Sequence, residues 1–143
     1  MTVGPLIKRL FPARRRVHRA TPTDLLTWGA ALHLIVDWLT QNEWVAEHKH
    51  RLVHPAGYVH AGSHAAAQAL VFPVPIAAAL GLTHLIVDTR QPLRLWKKVV
   101  SQPDRGPAAV PVGIWRDQTA HLAFIVLAAV VADPRKRRSI MNR

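Results

Sequence analysis

Apolar runs alternate with short polar or proline-containing segments along the chain, and this pattern predicts an all-α fold. The predicted helices span about residues 22 to 41 or 44, 55–72, 76–89 and 114–132. Thr21 is a suitable N-cap for the first helix, with Pro22 at its first position. A tight break at Pro73-Val74-Pro75 separates the second helix from the third. The segment 92–100 has an amphipathic pattern, typical of an interfacial helix or of a solvated surface helix.

A five-residue motif, His-Leu-Ile-Val-Asp, occurs twice within these apolar runs, at 33–37 and at 84–88. Residues four apart share one face of an α-helix, so each copy directs an imidazole and a carboxylate the same way. The second and fourth helices carry comparable pairs at the same spacing, namely His60 with His64 and Asp117 with His121. Four such pairs are hard to explain by packing alone.

Charge is concentrated at the two ends of the chain. The formal net charge is +11, yet 50% of the residues are hydrophobic. Six of the 19 basic residues precede Thr21 and five follow Ala132. Basic ends around an apolar body favour a membrane protein whose termini meet anionic lipid headgroups. The prediction is a four-helix membrane-embedded bundle, with a basic N-terminal arm (1–21), a helical membrane domain (22–132) and a basic C-terminal tail (133–143).

The basic termini also predict the orientation of a multi-pass protein in the cell membrane. Both termini are expected in the cytoplasm, which requires an even number of crossings. The region between the third and fourth helices is basic as well, so either it lies on the outer surface or one helix does not cross. No cleaved signal peptide is expected, and the absence of cysteine excludes disulfides and thiolate metal sites.

The polar side chains of these helices are candidate metal ligands. Ionisable groups within membrane spans cost roughly 2.5–3.5 kcal/mol each, so they are expected to face one another, a cavity or an ion. Imidazole and carboxylate are good ligands for Zn²⁺, Mn²⁺ or Fe²⁺. The predicted ligands are His33, Asp37, His64, His84 and Asp88. Asp117 and His121 are the next ligands or the general base, and His60 is a weaker candidate. Gln41 and Gln118 are expected to hydrogen-bond to the ligands.

These motifs carry a resemblance to a known family. They are His33-x-x-x-Asp37-x-x-x-Gln41 followed by Trp44 and Lys49, then Thr83-His84-x-x-x-Asp88 and Asp117-Gln118-x-x-His121. The chain resembles, over about residues 24–132, a bacterial and phage family of small multi-span membrane proteins known as a domain of unknown function. The resemblance implies a helical membrane fold and brings no established activity. The pattern is also loosely similar to that of membrane-bound metal-dependent hydrolases. The Pro73–Pro75 link and the long basic tails depart from the family pattern.

Several classes of function stay open at this stage. If the protein is an enzyme, the residues favour metal-assisted hydrolysis of a lipid-like substrate. The same pairs could instead fix helix packing in a structural or accessory membrane subunit, or carry protons or ions. A soluble basic helical protein that binds nucleic acid is an alternative that the location of the charge disfavours. Assembly into a homo-oligomer or a larger membrane complex is compatible with all of these.

Overall fold

The computed structural model describes residues 20–103 and 105–133, and all regular secondary structure in these ranges is helical. The helices are α1 (Pro22–Ile35), which a π-helical turn at Val36–Thr40 continues, α2 (Glu43–His48), α3 (Pro55–Gln68), α4 (Val74–Asp88), α5 (Gln91–Val99) and α6 (Ala109–Ala132). The all-α prediction is confirmed. Nearly all of the two predicted basic tails lies outside the described residues.

The start of α1 follows the predicted capping pattern. The Thr21 hydroxyl accepts a hydrogen bond from the Asp24 backbone N–H at 3.1 Å, and the Thr21 backbone N–H donates to the Asp24 carboxylate at 2.8 Å. Pro22 occupies the first turn, where its missing N–H has no helical partner to lose. The predicted N-cap is therefore confirmed, as one half of a capping box.

Two short helices accompany the four predicted long ones within residues 20–103 and 105–133. The Asn42 side chain caps α2 by accepting from the Val45 backbone N–H at 2.9 Å, within a stretch that sequence pattern indicates only as polar. The predicted amphipathic piece at 92–100 forms α5. The fourth long helix begins at Ala109 rather than near residue 114. Pro111 does not prevent this earlier start, because it lies in the first turn, where proline is tolerated.

The four long helices α1, α3, α4 and α6 form a ring of contacts, α1 with α3, α3 with α4, α4 with α6 and α6 with α1. At one end of the bundle, Leu25, Phe72, Leu80 and Ile125 belong to one buried apolar cluster. At the other end the buried side chains include several polar ones, as the contact between Asp37 of the π-helical turn and His60 of α3 illustrates. The bundle therefore has an apolar end and a polar end, and the candidate site lies in the polar half.

Helices α3 and α4 approach each other closely at Gly81. A Cβ atom built there would lie 2.7 Å from the Ala65 Cβ and 2.9 Å from the Ala61 carbonyl oxygen. Because small residues permit this approach, His64, between Ala61 and Ala65 on α3, reaches His84 on α4.

Only one helix in the described ranges is long and apolar enough to cross a membrane. This helix is α6, with a mean hydropathy of 1.3 in its most apolar window. The α4 helix is apolar but has only 15 residues, or about 22 Å of rise against a hydrocarbon thickness of about 30 Å. The helical bundle is thus established, whereas its crossing of a bilayer at four places is not.

Candidate metal centre

Four imidazoles form a layer across the middle of the bundle, one from each long helix. The rings of His64 and His84 are stacked with centroids 3.6 Å apart, and those of His84 and His121 are stacked at 4.0 Å. The His33 ring lies 5.0 Å from His64 and 5.1 Å from His121. All four side chains are buried.

Asp37 lies one turn beyond His33, in the π-helical turn that continues α1. Its Oδ1 is 3.1 Å from His60 Nε2 and 3.3 Å from His64 Nε2. Its Oδ2 accepts a hydrogen bond of 2.9 Å from the Gln118 amide. The extra residue in a π-helical turn changes the direction of the side chains that follow, and such turns are common at functional sites.

The second copy of the motif supplies Asp88 and His84 from the end of α4. Asp88 Oδ2 is 3.3 Å from His84 Nε2, and Asp88 Oδ1 is 3.6 Å from His121 Nε2. The two carboxylates share neighbours, because His60 Nε2 is also 3.5 Å from Asp88 Oδ2. The two copies of the motif therefore meet in one polar cluster.

The ligand atoms of this cluster form two overlapping groups, each within 4.8 Å across. One contains Asp37, His60, His64 and His84, and the other contains His84, Asp88 and His121. Donors around a tetrahedral metal ion with bonds of about 2.0–2.1 Å lie about 3.3–3.4 Å apart. The distances from Asp37 Oδ1 to His60, His64 and His84 Nε2 are 3.1, 3.3 and 3.8 Å. This buried His/Asp cluster could hold a metal ion.

Hydrogen bonds within the described residues do not satisfy this cluster. The buried Nε2 atoms of His84 and His121 have no hydrogen-bond partner there, although each lies near Asp88. His60 Nε2 lies 3.1 Å from both Asp37 Oδ1 and Lys49 Nζ. One nitrogen cannot donate to a carboxylate and accept from an ammonium group at the same time. A cation between these donors would satisfy all three imidazoles.

Lys49 joins the cluster without being among the ligands that the sequence pattern predicts. Its Nζ lies 3.3 Å from Asp88 Oδ1 and 3.6 Å from Asp37 Oδ1, and its side chain is 14% exposed. The end of α2 is held against α3, since a Cβ at Gly57 would lie 2.9 Å from the Lys49 carbonyl oxygen. In the sequence, the signal for Lys49 is its position after Trp44 in the motif that carries the predicted resemblance.

The remaining predicted residues surround the cluster. His33 Nε2 lies 3.3 Å from Gln118 Oε1 and 3.5 Å from Asp37 Oδ2, so His33 is beside the convergent donors rather than among them. Asp117 is half-buried, with Oδ1 3.9 Å from His121 Nε2, and it also lies outside both donor groups. Gln41 is half-buried at the end of the π-helical turn. Arg116 donates to Gln102 at 3.1 Å rather than to its neighbour Asp117, which leaves that carboxylate for the site.

The histidines between α1 and α3 lie apart from this cluster. His48 and His54 stack on each other with centroids 4.4 Å apart, and His54 caps α3 by accepting from the Ala56 N–H. The pKa of His50 is lowered by loss of solvation, and then by the positive charge of Arg90 and Arg51. These residues have structural or surface roles.

Comparison with protein-family models, with curated proteins and with solved structures finds no match for this chain.

Proposed function

We propose that this protein is an integral membrane metalloprotein that binds a divalent transition metal at the His/Asp cluster and acts as a hydrolase. The observation that carries the proposal is the convergence of six buried imidazole and carboxylate donors from four helices. Two inner carboxylates against the single Lys49 ammonium leave net negative charge, which a divalent cation would balance.

The donors divide naturally into two sets of two imidazoles and one carboxylate. One set is Asp37 with His60 and His64, and the other is Asp88 with His84 and His121. Two histidines and a carboxylate leave coordination positions open for water and substrate, as catalytic metal sites require. Because one Nε2 atom binds one ion, His84 belongs to a single set when both are filled. This division supports a centre of up to two ions.

The distribution of apolar side chains supports the membrane location. Among the described residues, 26 large apolar side chains are exposed, whereas nine polar or charged ones are buried. Water-soluble proteins seldom bury so many ionisable side chains, while in membrane proteins such residues face the interior. Trp28, Trp38 and Trp115 are each more than 60% exposed, as interfacial anchors would be. The family resemblance, which implies the same location, stays a prediction.

The surrounding residues suit hydrolysis. A bound ion would supply Lewis-acid activation of water and of the scissile bond. Asp117 is positioned one helical turn from His121 to accept a proton from the attacking water. Lys49 places an ammonium group beside the donors, where it can stabilise negative charge that develops on the substrate.

A structural role for the same cluster is the competing candidate, favoured by its ion pairs between Lys49 and both carboxylates. In that role His84 and His121 Nε2 lie 3.3 and 3.6 Å from Asp88 oxygens without forming hydrogen bonds among the described residues, and each buried unsatisfied group costs about 1–3 kcal/mol. Metal binding removes this cost, so the metalloprotein is the better account.

Metal content separates the two candidates. The full chain is purified in detergent, stripped with a chelator, reloaded with Zn²⁺, Mn²⁺ or Fe²⁺ and assayed by mass spectrometry of the metal. We expect the wild type to retain one or two ions per chain, and His84→Ala/His121→Ala, which lacks both imidazoles of the second set, to retain at least one ion fewer. The control His48→Ala/His54→Ala removes two histidines outside the cluster and should retain the wild-type content. A structural cluster would give equal, near-zero content in all three proteins.

A further inference from the structure

A polar cleft adjoins the His/Asp cluster. It has a volume of about 540 Å³, and its inner lining includes Lys49, Asp88 and Asp117. These residues belong to or border the donor cluster, so a molecule in the cleft would meet the centre directly. Its volume lies within the roughly 300–1,000 Å³ that is typical of small-molecule sites.

The outer part of this cleft is basic. Arg90, Arg94, Lys97 and Arg116 line it, and Arg94 and Lys97 lie one turn apart on α5. Arg90 adopts a left-handed backbone conformation, with φ of 63°, that turns the chain sharply from α4 into α5. The buried Nε atom of Arg116 has no hydrogen-bond partner within the described residues. Four cations at one opening favour an anionic ligand.

An apolar groove of about 630 Å³ adjoins this cleft along α5 and α6. Leu93 and Arg116 line both spaces, so the two are neighbours. The groove continues along apolar side chains of α6 and the aromatic rings of Trp96 and Trp115. It would shelter a hydrocarbon chain whose polar end lies among the basic residues.

Together these spaces fit an amphiphile with an anionic head and an apolar chain. An arginine guanidinium can donate two parallel hydrogen bonds to one phosphate group, and Lys49 adds a further donor beside the metal ligands. A carboxylate head has fewer oxygen atoms and would use fewer of these donors. A zwitterionic head would place its own positive charge beside the four basic residues of the cleft. A phosphate monoester uses the most of them.

We propose that the substrate is a phosphorylated lipid, with its phosphate at the basic cleft and its chain in the apolar groove. This inference rests on the proposed hydrolase function and names its substrate class. In the reaction, the oxygen of water bonds to phosphorus and the phosphorus–oxygen bond to the lipid alcohol breaks. One proton of that water passes to the departing alkoxide, giving inorganic phosphate and the free lipid alcohol.

Binding of lysophosphatidic acid by the detergent-purified full chain tests this proposal, with metal content measured on the same samples. We expect lysophosphatidic acid to bind at least tenfold more tightly than either lysophosphatidylcholine of the same chain length or a fatty acid. Arg94→Ala/Lys97→Ala should remove most of that preference while keeping the metal. The control Lys98→Ala/Arg105→Ala removes two charges from exposed positions outside the cleft and should keep the preference.

A second variant tests the chain-binding groove separately. Ala123 is exposed and lines that groove, so Ala123→Phe should fill it without disturbing the core. We expect this variant to bind lysophosphatidic acid at least fivefold more weakly, with inorganic phosphate binding unchanged. Equal binding of the three lipids by the wild type, or an unchanged preference in Arg94→Ala/Lys97→Ala, would overturn the proposal. A wild-type protein that holds no metal but still prefers lysophosphatidic acid over the other two lipids would overturn the hydrolase function instead.

Discussion

At the scale of single residues, Lys49 is the side chain that most affects how the cluster treats a cation. Its ammonium group lies 3.1–3.6 Å from donors that a metal ion would use. Two like charges at such separations repel, and the low dielectric of the buried site strengthens that repulsion. Lys49 therefore opposes the ion while it supports an anionic substrate.

Replacing this lysine separates the two effects. We expect Lys49→Met to bind Zn²⁺ about tenfold more tightly, a gain of ~1.4 kcal/mol, because the competing positive charge is removed. Lysophosphatidic acid should bind more weakly to the same variant. Competition with a chelator of known affinity measures the first effect. Lys98→Met, at an exposed position of α5, is the control. Weaker zinc binding in Lys49→Met would show that the amine assists the ion.

The sequence pattern predicts many, but not all, of the residues of the candidate site. The repeated His-x-x-x-Asp spacing places Asp37, His84 and Asp88 on inward faces, and these residues do converge. His33 has the same spacing yet bonds to Gln118, because the donors meet one turn farther along α1. Lys49 is the C-cap of a separate short helix, α2, and no helical periodicity links such a residue to the others.

At the scale of the elements, the contact between α3 and α4 aligns the histidines of the two helices. Gly81 lies against Ala61 and Ala65, which brings the two backbones close together. His64, which lies between those two alanines, stacks on His84 of α4. Any side chain at Gly81 would separate the helices and with them the donors.

Glycine substitutions on the two helices test this contact. We expect Gly81→Ala to lower the free energy of unfolding by about 1–3 kcal/mol, because the added methyl group overpacks the interface. Gly62→Ala, where no atom lies within 4 Å of the added Cβ, should be neutral or stabilising by up to about 1 kcal/mol. Denaturant unfolding in detergent measures both. Equal stabilities for the two variants would contradict the close approach.

Helix positions follow from the sequence better than helix ends do. Thr21 and Pro22 mark the start of α1 by local chemistry that the sequence displays directly. The π-helical turn at Val36–Thr40 has no such local signal, since it depends on the contacts that Asp37 makes with other helices. The α2 helix has a cap at Asn42 but only six residues, too few to show an apolar periodicity.

At the scale of the whole molecule, polar groups are gathered inside and apolar side chains cover much of the outside. This arrangement suits lipid surroundings, where apolar side chains face the hydrocarbon. Composition predicts it in part, through 50% hydrophobic residues and basic ends. Helix lengths support a membrane location less strongly, because α6 alone among the described helices has the length and hydropathy of a membrane span.

A charge on the exposed face of α6 tests the membrane location. Leu127 is 57% exposed, so Leu127→Arg would be tolerated in a water-soluble bundle. In a bilayer the substitution costs about 2.5–3.5 kcal/mol near the centre of the helix. We therefore expect the wild type and Leu127→Phe to stay in the carbonate-washed membrane fraction, and Leu127→Arg to be depleted from it. Wild-type protein in the carbonate supernatant would contradict membrane insertion.

X-ray absorption at the zinc edge of the loaded protein tests the central claim most directly. We expect a first shell of nitrogen and oxygen atoms at about 2.0–2.1 Å, with the outer-shell scattering of at least two imidazoles. His84→Ala/His121→Ala should lose imidazole scattering, whereas His48→Ala/His54→Ala should give the wild-type spectrum. A spectrum without imidazole scattering, or one altered only by the second pair of substitutions, would contradict a metal centre within the bundle.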